Sequence, residues 1–201
     1  MTTTRAILFD LDGTLLEWRR GYREILTETF ESVVNELRAE WIEQYNDAFF
    51  ESFEAHEPNP VRRAFASVTG CSRPDQLAEE LRRQESQACC PPEGAYRDLE
   101  RLSTDYSLGV LTNGVPEWQR YKLREHDLER YFDAVVASYE TGAHKPNPAP
   151  YRTAERRLSA DSYAMIGDDE TDVSGAENVG WIAHQYEGGG FGDVPAVLKL
   201  E

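Results

Sequence analysis

Asp10 and Asp12 stand two residues apart in Ala6-Ile-Leu-Phe-Asp10-Leu-Asp12-Gly-Thr-Leu15, where an apolar run ends abruptly in two carboxylates, a glycine and a hydroxyl. On a continuing strand, residues i and i+2 share a face. Two like charges about 4 Å apart repel by several kcal/mol at an effective dielectric near 20, unless a cation or a proton separates them. Folding gains nothing from such a pair. It suits a metal site in which one carboxylate attacks and the other moves a proton. The plain alternative is two carboxylates that cap the turn after a strand.

Three further segments carry chemistry at the ends of apolar runs. Val110-Leu-Thr112-Asn113-Gly114 places a hydroxyl and an amide ahead of Pro116, a residue suited to the first turn of a helix. Backbone N–H groups there can cradle an oxyanion. Thr141-Gly-Ala-His144-Lys145-Pro146-Asn-Pro148 offers one of only three lysines in the chain, the others being Lys122 and Lys199. Ile166-Gly167-Asp168-Asp169-Glu170-Thr171-Asp172 is an acidic cluster that opens a helix. His144 reads as a bystander beside Lys145.

The elements that must bring these segments together are short apolar strands at Arg5–Asp10, Tyr106–Thr112, Phe132–Ser138, Tyr163–Gly167 and Gly180–Gln185. Helical patterns at Pro116–Glu129, Pro150–Leu158 and Thr171–Asn178 alternate with the last four. Such alternation predicts an α/β fold, a Rossmann-like parallel sheet with helices on both faces. Right-handed crossovers then gather the carboxyl ends of the strands along one edge, where ligands bind. Residues 17–91 interrupt this pattern. Apolar and aromatic residues recur there at helical steps, at Ile25, Phe30, Val33, Leu37, Trp41, Tyr45, Phe49 and Phe53. Gly70 and Pro74 break the pattern, and Leu77 and Leu81 start another helix. The reading is a catalytic core of residues 1–16 and 92–201 with an all-helical cap domain of 17–91 inserted, Ala88–Gly94 forming the return hinge. Trp41, Tyr45, Phe49 and Phe53 are expected in the core of that domain.

Composition narrows the partners. Thirty-seven acidic residues against 21 basic give a formal net charge of -16, so nucleic acid and anionic membranes are unexpected partners. An acid-rich, lysine-poor surface resembles those of cytosolic proteins from organisms that accumulate salt, where screening relieves self-repulsion. No signal-peptide apolar region precedes the first strand and no run of about 18 apolar residues occurs, so a cytoplasmic protein without a membrane span is expected. Cys71, Cys89 and Cys90 lack zinc-ligand spacing and read as free thiols. Nothing in the residues sets an oligomeric state.

Asp10-Leu-Asp12-Gly-Thr14, Thr112-Asn113, Lys145-Pro146 and Gly167-Asp168-Asp169, in this order, resemble the four motifs of the haloacid dehalogenase superfamily. The resemblance covers nearly the whole chain and points to the members with a helical cap after the first strand. It implies a sheet in which the first strand lies between the second and the fourth. It also implies one Mg²⁺ held by the Asp10 carboxylate, the Asp12 carbonyl and the Asp168 carboxylate, a donor set of hard oxygens. By the same resemblance Asp10 attacks phosphorus to form an aspartyl phosphate, and Asp12 protonates the leaving oxygen and then activates water. Thr112, Asn113 and Lys145 would hold the phosphoryl oxygens. Asp172 is expected behind these groups, while Asp169 stands between a metal water and a helix-start carboxylate.

Within that superfamily, haloacid dehalogenases use no Mg²⁺ and usually lack an acid where Asp12 stands. Phosphonoacetaldehyde hydrolases need a cap lysine, and residues 17–90 contain none. Sugar-phosphate mutases keep all four motifs and stay open. The reading is a Mg²⁺-dependent phosphomonoesterase acting on a small phosphorylated metabolite. A non-catalytic phosphate-binding module is the alternative of a different class, and a phosphorylation receiver would be shorter and uninterrupted. Arg19, Arg20 or Arg23, close after the catalytic turn, could pair with a second anionic group on the substrate, or be solvated charge at a helix start.

Overall fold

The computed structural model describes residues 4–199. In chain order the elements are β1 (Arg5–Phe9), β2 (Glu17–Trp18), α1 (Tyr22–Val34), α2 (Ala39–Glu54), α3 (Pro60–Ser67), α4 (Pro74–Ala88), β3 (Cys89–Cys90) and α5 (Ala95–Leu102). These are followed by β4 (Ser107–Thr112), α6 (Pro116–Glu125), β5 (Ala134–Ala137), α7 (Pro148–Arg157), β6 (Ser162–Gly167), α8 (Glu170–Asn178), β7 (Ile182–Gln185) and α9 (Val194–Val197). Single 3₁₀ turns lie at Glu129–Tyr131 and Ser138–Glu140. The chain divides into two compact units. One carries it up to Glu17 and again from Cys90, and the other is Trp18–Cys89.

The first unit is an α/β fold around a five-stranded parallel sheet of order β5-β4-β1-β6-β7. β1 is central because both its faces are apolar and covered. Ala6 and Leu8 join Leu111, Val136, Tyr151, Met165 and Trp181 on one side. Phe9 packs edge-on against Phe191 and Phe132, with ring centroids 5.1 and 6.2 Å apart. Fully buried aliphatic strands of this kind are the usual mark of a parallel sheet covered on both faces. The register pairs Phe9 with Val110 on one side and Ile166 on the other. Asp10, the residues after Thr112 and those after Gly167 therefore leave the sheet at the same edge. α7 packs on β4 and β5, and α8 on β6 and β7.

The second unit is helical, with α1 against α4 and α2 against α3. Its core is aromatic: Phe30 lies 5.3 Å from Trp41 and 5.4 Å from Phe65, and Tyr45 lies 4.4 Å from Phe65. Trp41 and Tyr45 are buried as expected, whereas Phe49 and Phe53 are half-buried and stack on each other at 5.3 Å. The apolar pattern running from Ile25 to Phe53 is not one helix. Asn35 adopts a left-handed φ of 56° and its N–H bonds back to Glu31 O, which ends α1 and leaves Leu37 in the connection. α3 and α4 each begin with proline at the first helical position, Pro60 and Pro74. Among the described residues no helix is long and apolar enough to cross a membrane.

Close packing reaches its limit between α7 and α8. A Cβ on Gly175 would fall 2.3 Å from the Tyr151 hydroxyl and 2.6 Å from its ring carbon Cζ. Tyr151 is fully buried and its hydroxyl donates to Thr171 O and Asp172 O, so the ring cannot step aside. Gly175→Ala should therefore destabilise the protein by about 1–3 kcal/mol through overpacking, against a helix-propensity gain of only about 1 kcal/mol. Urea unfolding of the two proteins checks the sign.

Candidate functional site

Asp10 follows the last residue of β1 and is fixed there by its N–H, which donates to Ile166 O at 2.8 Å. Its side chain is nearly buried. Lys145, also buried, donates to Asp10 Oδ1 at 2.6 Å, to Asp172 Oδ1 at 2.5 Å and to Leu111 O at 2.9 Å. An ammonium has three N–H donors, and these contacts take all three. Lys145 is held in turn through its backbone. Its N–H donates to Asn113 Oδ1 at 2.8 Å, and Asn113 Nδ2 donates to Lys145 O at 3.4 Å. The side-chain amide of Asn113 thus ties the end of β4 to the loop that carries the lysine.

The acidic cluster enters from the start of α8. Asp169 is the N-cap, accepting from Thr171 N at 2.8 Å in a capping box with Asp172, whose Oδ2 accepts from Asp169 N at 3.2 Å. Bonds from Thr171 lower the Asp169 pKa, and its carboxylate works at the helix start. Asp168 turns the other way and accepts from the Thr14 hydroxyl at 2.8 Å. Two glycines leave room for these carboxylates. A Cβ on Gly13 would lie 2.2 Å from Asp168 Oδ2, and one on Gly167 would lie 2.2 Å from Asp172 Oδ2. Gly13 also needs its φ of 99°, which favours glycine.

Carboxylate oxygens of Asp10, Asp168 and Asp172 come within 4.8 Å of one another. Asp172, expected behind the metal ligands, stands in the cluster itself, with its two oxygens already bonded to Lys145 and Asp169 N. Lys145 takes only Oδ1 of Asp10. Burial raises the Asp10 carboxyl, Lys145 opposes it, and Asp172 and Asp12 add to the rise, leaving it pushed up to about 7. Burial also raises Asp172. For Lys145, burial works against the charge, yet Asp10 and Asp172 outweigh it and its pKa is raised. The cluster is short of positive charge, and its donors are hard oxygens. A divalent cation such as Mg²⁺ fits both facts.

Asp12 does not stay on the face of Asp10. The strand ends at Phe9, and a turn closed by Gly13 N to Leu16 O at 2.9 Å and Leu16 N to Leu11 O at 2.9 Å carries Asp12 round. There its carboxylate meets two residues of α6 that sequence reasoning missed. Lys122 Nζ is 2.6 Å from each oxygen, and Gln119 Nε2 is 2.9 Å from Oδ2. Gln119 Nε2 also donates to Thr112 Oγ1 at 2.9 Å. The only available signal was the scarcity of lysine. His144 bonds the Ser138 hydroxyl at 2.7 Å, and that hydroxyl accepts from Gly114 N at 2.9 Å. In the helical unit, Arg20 is paired with Glu28 and donates to Gln84 at 3.1 Å, while Arg19 is exposed.

Asp10 provides a stability test. The folded protein keeps its proton up to about pH 7, whereas the unfolded chain releases it near the ordinary 3.8. Between those values the folded state binds more protons, so this group removes stability as pH rises. Asn at position 10 has no such proton. With metal chelated, the unfolding free energy of Asp10→Asn minus that of wild type, from urea unfolding, should grow from pH 5 to pH 8 by a few kcal/mol, on the order of 1.4 kcal/mol per pH unit up to about pH 7.

Comparison with known proteins places the chain in a family. Residues 7–183 match the family model described as haloacid dehalogenase-like hydrolase. Pyrophosphatase PpaX of Halalkalibacterium halodurans is 28% identical over 181 residues, covering 87% of this chain and 79% of that protein. Phosphoserine phosphatase of Thermus thermophilus is 29% identical over 214 residues, covering 88% and 86%. The solved structure of the HAD-hydrolase YfnB from Bacillus subtilis, bound to magnesium, superposes with a TM-score of 0.65 at 24% identity, covering 90% of this chain and 86% of that one.

Proposed function

For a chain that belongs to the haloacid dehalogenase-like hydrolases, we propose a Mg²⁺-dependent phosphomonoesterase that works on a small phosphorylated metabolite through an aspartyl phosphate on Asp10. The observation that carries this reading is the Asp10 carboxylate itself. It is nearly buried at the end of the central strand, bound through one oxygen by Lys145, and grouped with Asp168. The phosphatase and pyrophosphatase names of the two relatives, and the magnesium of YfnB, support the same chemistry.

In this reading Asp10 and Asp168, with the Asp12 carbonyl, would hold the Mg²⁺. When bound, the ion supplies positive charge to the phosphoryl oxygens and keeps Asp10 ionised. A carboxylate oxygen of Asp10 attacks phosphorus as the bond to the leaving oxygen breaks, and Asp12 gives that oxygen its proton. Lys145 and the Thr112 hydroxyl face the phosphoryl group and offset its developing charge. Asn113 contributes by fixing Lys145, and Asp172 shares its ammonium. Water then attacks the aspartyl phosphate with Asp12 as base. The helical unit Trp18–Cys89 acts as the cap that selects the substrate. Arg19 and Arg20 are the candidates for a second anionic group, Arg20 by exchanging Glu28 for it.

Phosphate release from an aryl phosphate in concentrated KCl, with Mg²⁺ and with chelator, tests the reading. Release that requires Mg²⁺ is expected. Its absence in folded protein would leave the non-catalytic phosphate-binding module. Asp10→Asn should abolish turnover while the circular dichroism spectrum is kept, and Asp12→Asn should lower it by about 10²–10⁴-fold. Near-wild-type turnover in Asp10→Asn rejects the nucleophile.

A further inference from the structure

Each aspartate of the pair has a buried lysine of its own, Lys145 on Asp10 and Lys122 on Asp12. Lys122 and Gln119 are each only 2% exposed, although they face a carboxylate side chain that is 26% exposed. They lie one helical turn apart, on the face of α6 directed at the turn after β1. Lys122 Nζ reaches both oxygens of Asp12 at 2.6 Å, and Gln119 Nε2 spans from Asp12 Oδ2 to Thr112 Oγ1 at 2.9 Å each. Gly114 leaves space for this amide, since a Cβ there would sit 2.9 Å from Gln119 Cδ.

Stability does not account for Lys122. Replacing a buried ion pair with apolar groups of similar volume is commonly neutral or stabilising, and a partly exposed carboxylate can be left to water. What the ammonium and the amide supply is direction. Donors on both oxygens, from one rigid helix face, hold the Asp12 carboxylate in one orientation beside the Thr112 hydroxyl.

We propose that Lys122 and Gln119 are positioning residues that aim the Asp12 carboxylate at the hydrolytic water. The inference rests on the phosphatase reading above. In the step concerned, Asp12 takes a proton from water and the water oxygen bonds to phosphorus. The bond from phosphorus to Asp10 then breaks, and its electron pair returns to the Asp10 carboxylate. Forming the aspartyl phosphate from an aryl phosphate makes little demand on Asp12, because a phenolate of low basicity leaves unaided. The two half-reactions therefore separate the aim of Asp12 from the rest of the site.

Rapid-quench kinetics with p-nitrophenyl phosphate and Mg²⁺, with phosphoprotein followed by intact mass, test the proposal on wild type, Lys122→Met and Gln119→Leu. The hydrolytic step should slow by up to about 10²-fold while the p-nitrophenol burst changes by less than about threefold, so phosphoprotein accumulates. In an Asp12→Asn background, Lys122→Met should add nothing to the loss. Equal slowing of both steps, or a further loss in that background, overturns the positioning role. If Lys122→Met fails to fold, Gln119→Leu decides by the same split. A wild type without Mg²⁺-dependent turnover removes the phosphatase reading first, and this inference with it.

Discussion

Mutual repulsion among Asp10, Asp12, Asp168 and Asp172 is the constraint around which the first unit is built. Parallel strands bring the residues that follow β1 and β6 to one edge, and buried like charges there are tolerable only if something of opposite sign reaches them. Two lysines do so from two directions. Lys145 comes from the loop after β5, tied through its backbone to Asn113, and Lys122 comes from α6. Gly13 and Gly167 give way at the points where a side chain would block a carboxylate. Remove the lysines and the edge would have to protonate or open.

The balance is deliberately incomplete. Four carboxylates face two ammonium groups, and burial, reinforced by the charges of Asp172 and Asp12, pushes the Asp10 carboxyl up to about 7. A site that satisfied all its charges would be more stable and less useful. The residual attraction for positive charge lies on the carboxylate that the proposed chemistry needs as nucleophile. The same interaction that weakens the metal-free fold prepares it for a cation.

The sheet was legible because its strands are fully apolar runs ending in punctuating residues, and the observed order places β1 between β4 and β6 as the family resemblance implies. Strand ends shifted by a residue or two without moving Asp10, Thr112 or Asp168 off the edge. Periodicity did not reveal the break at Asn35, because the apolar spacing continues across it while one left-handed residue stops the helix. Nor did it reveal where Asp12 points. Alternation on a strand holds only while the strand lasts, and it ends at Phe9. Gln119 and Lys122 were hidden for a different reason: polar residues on an amphipathic helix read as its wet face until the fold shows them buried against the Asp12 carboxylate. For Asp169 the sequence left a metal water and a helix start both open, and only the capping box with Asp172 places its carboxylate at the N-cap of α8.

The use of lysine has a practical side. With 18 arginines carrying the rest of the positive charge and two of the three lysines sealed beside Asp10 and Asp12, the described surface offers amine chemistry a single lysine, Lys199. Among the lysines, acylating reagents and amine-directed cross-linkers would therefore mark Lys199 on the intact molecule. Labelling of Lys122 or Lys145 would instead count the moments when α6 or the β5–α7 loop lifts from the sheet, making the two buried amines built-in clocks for local opening.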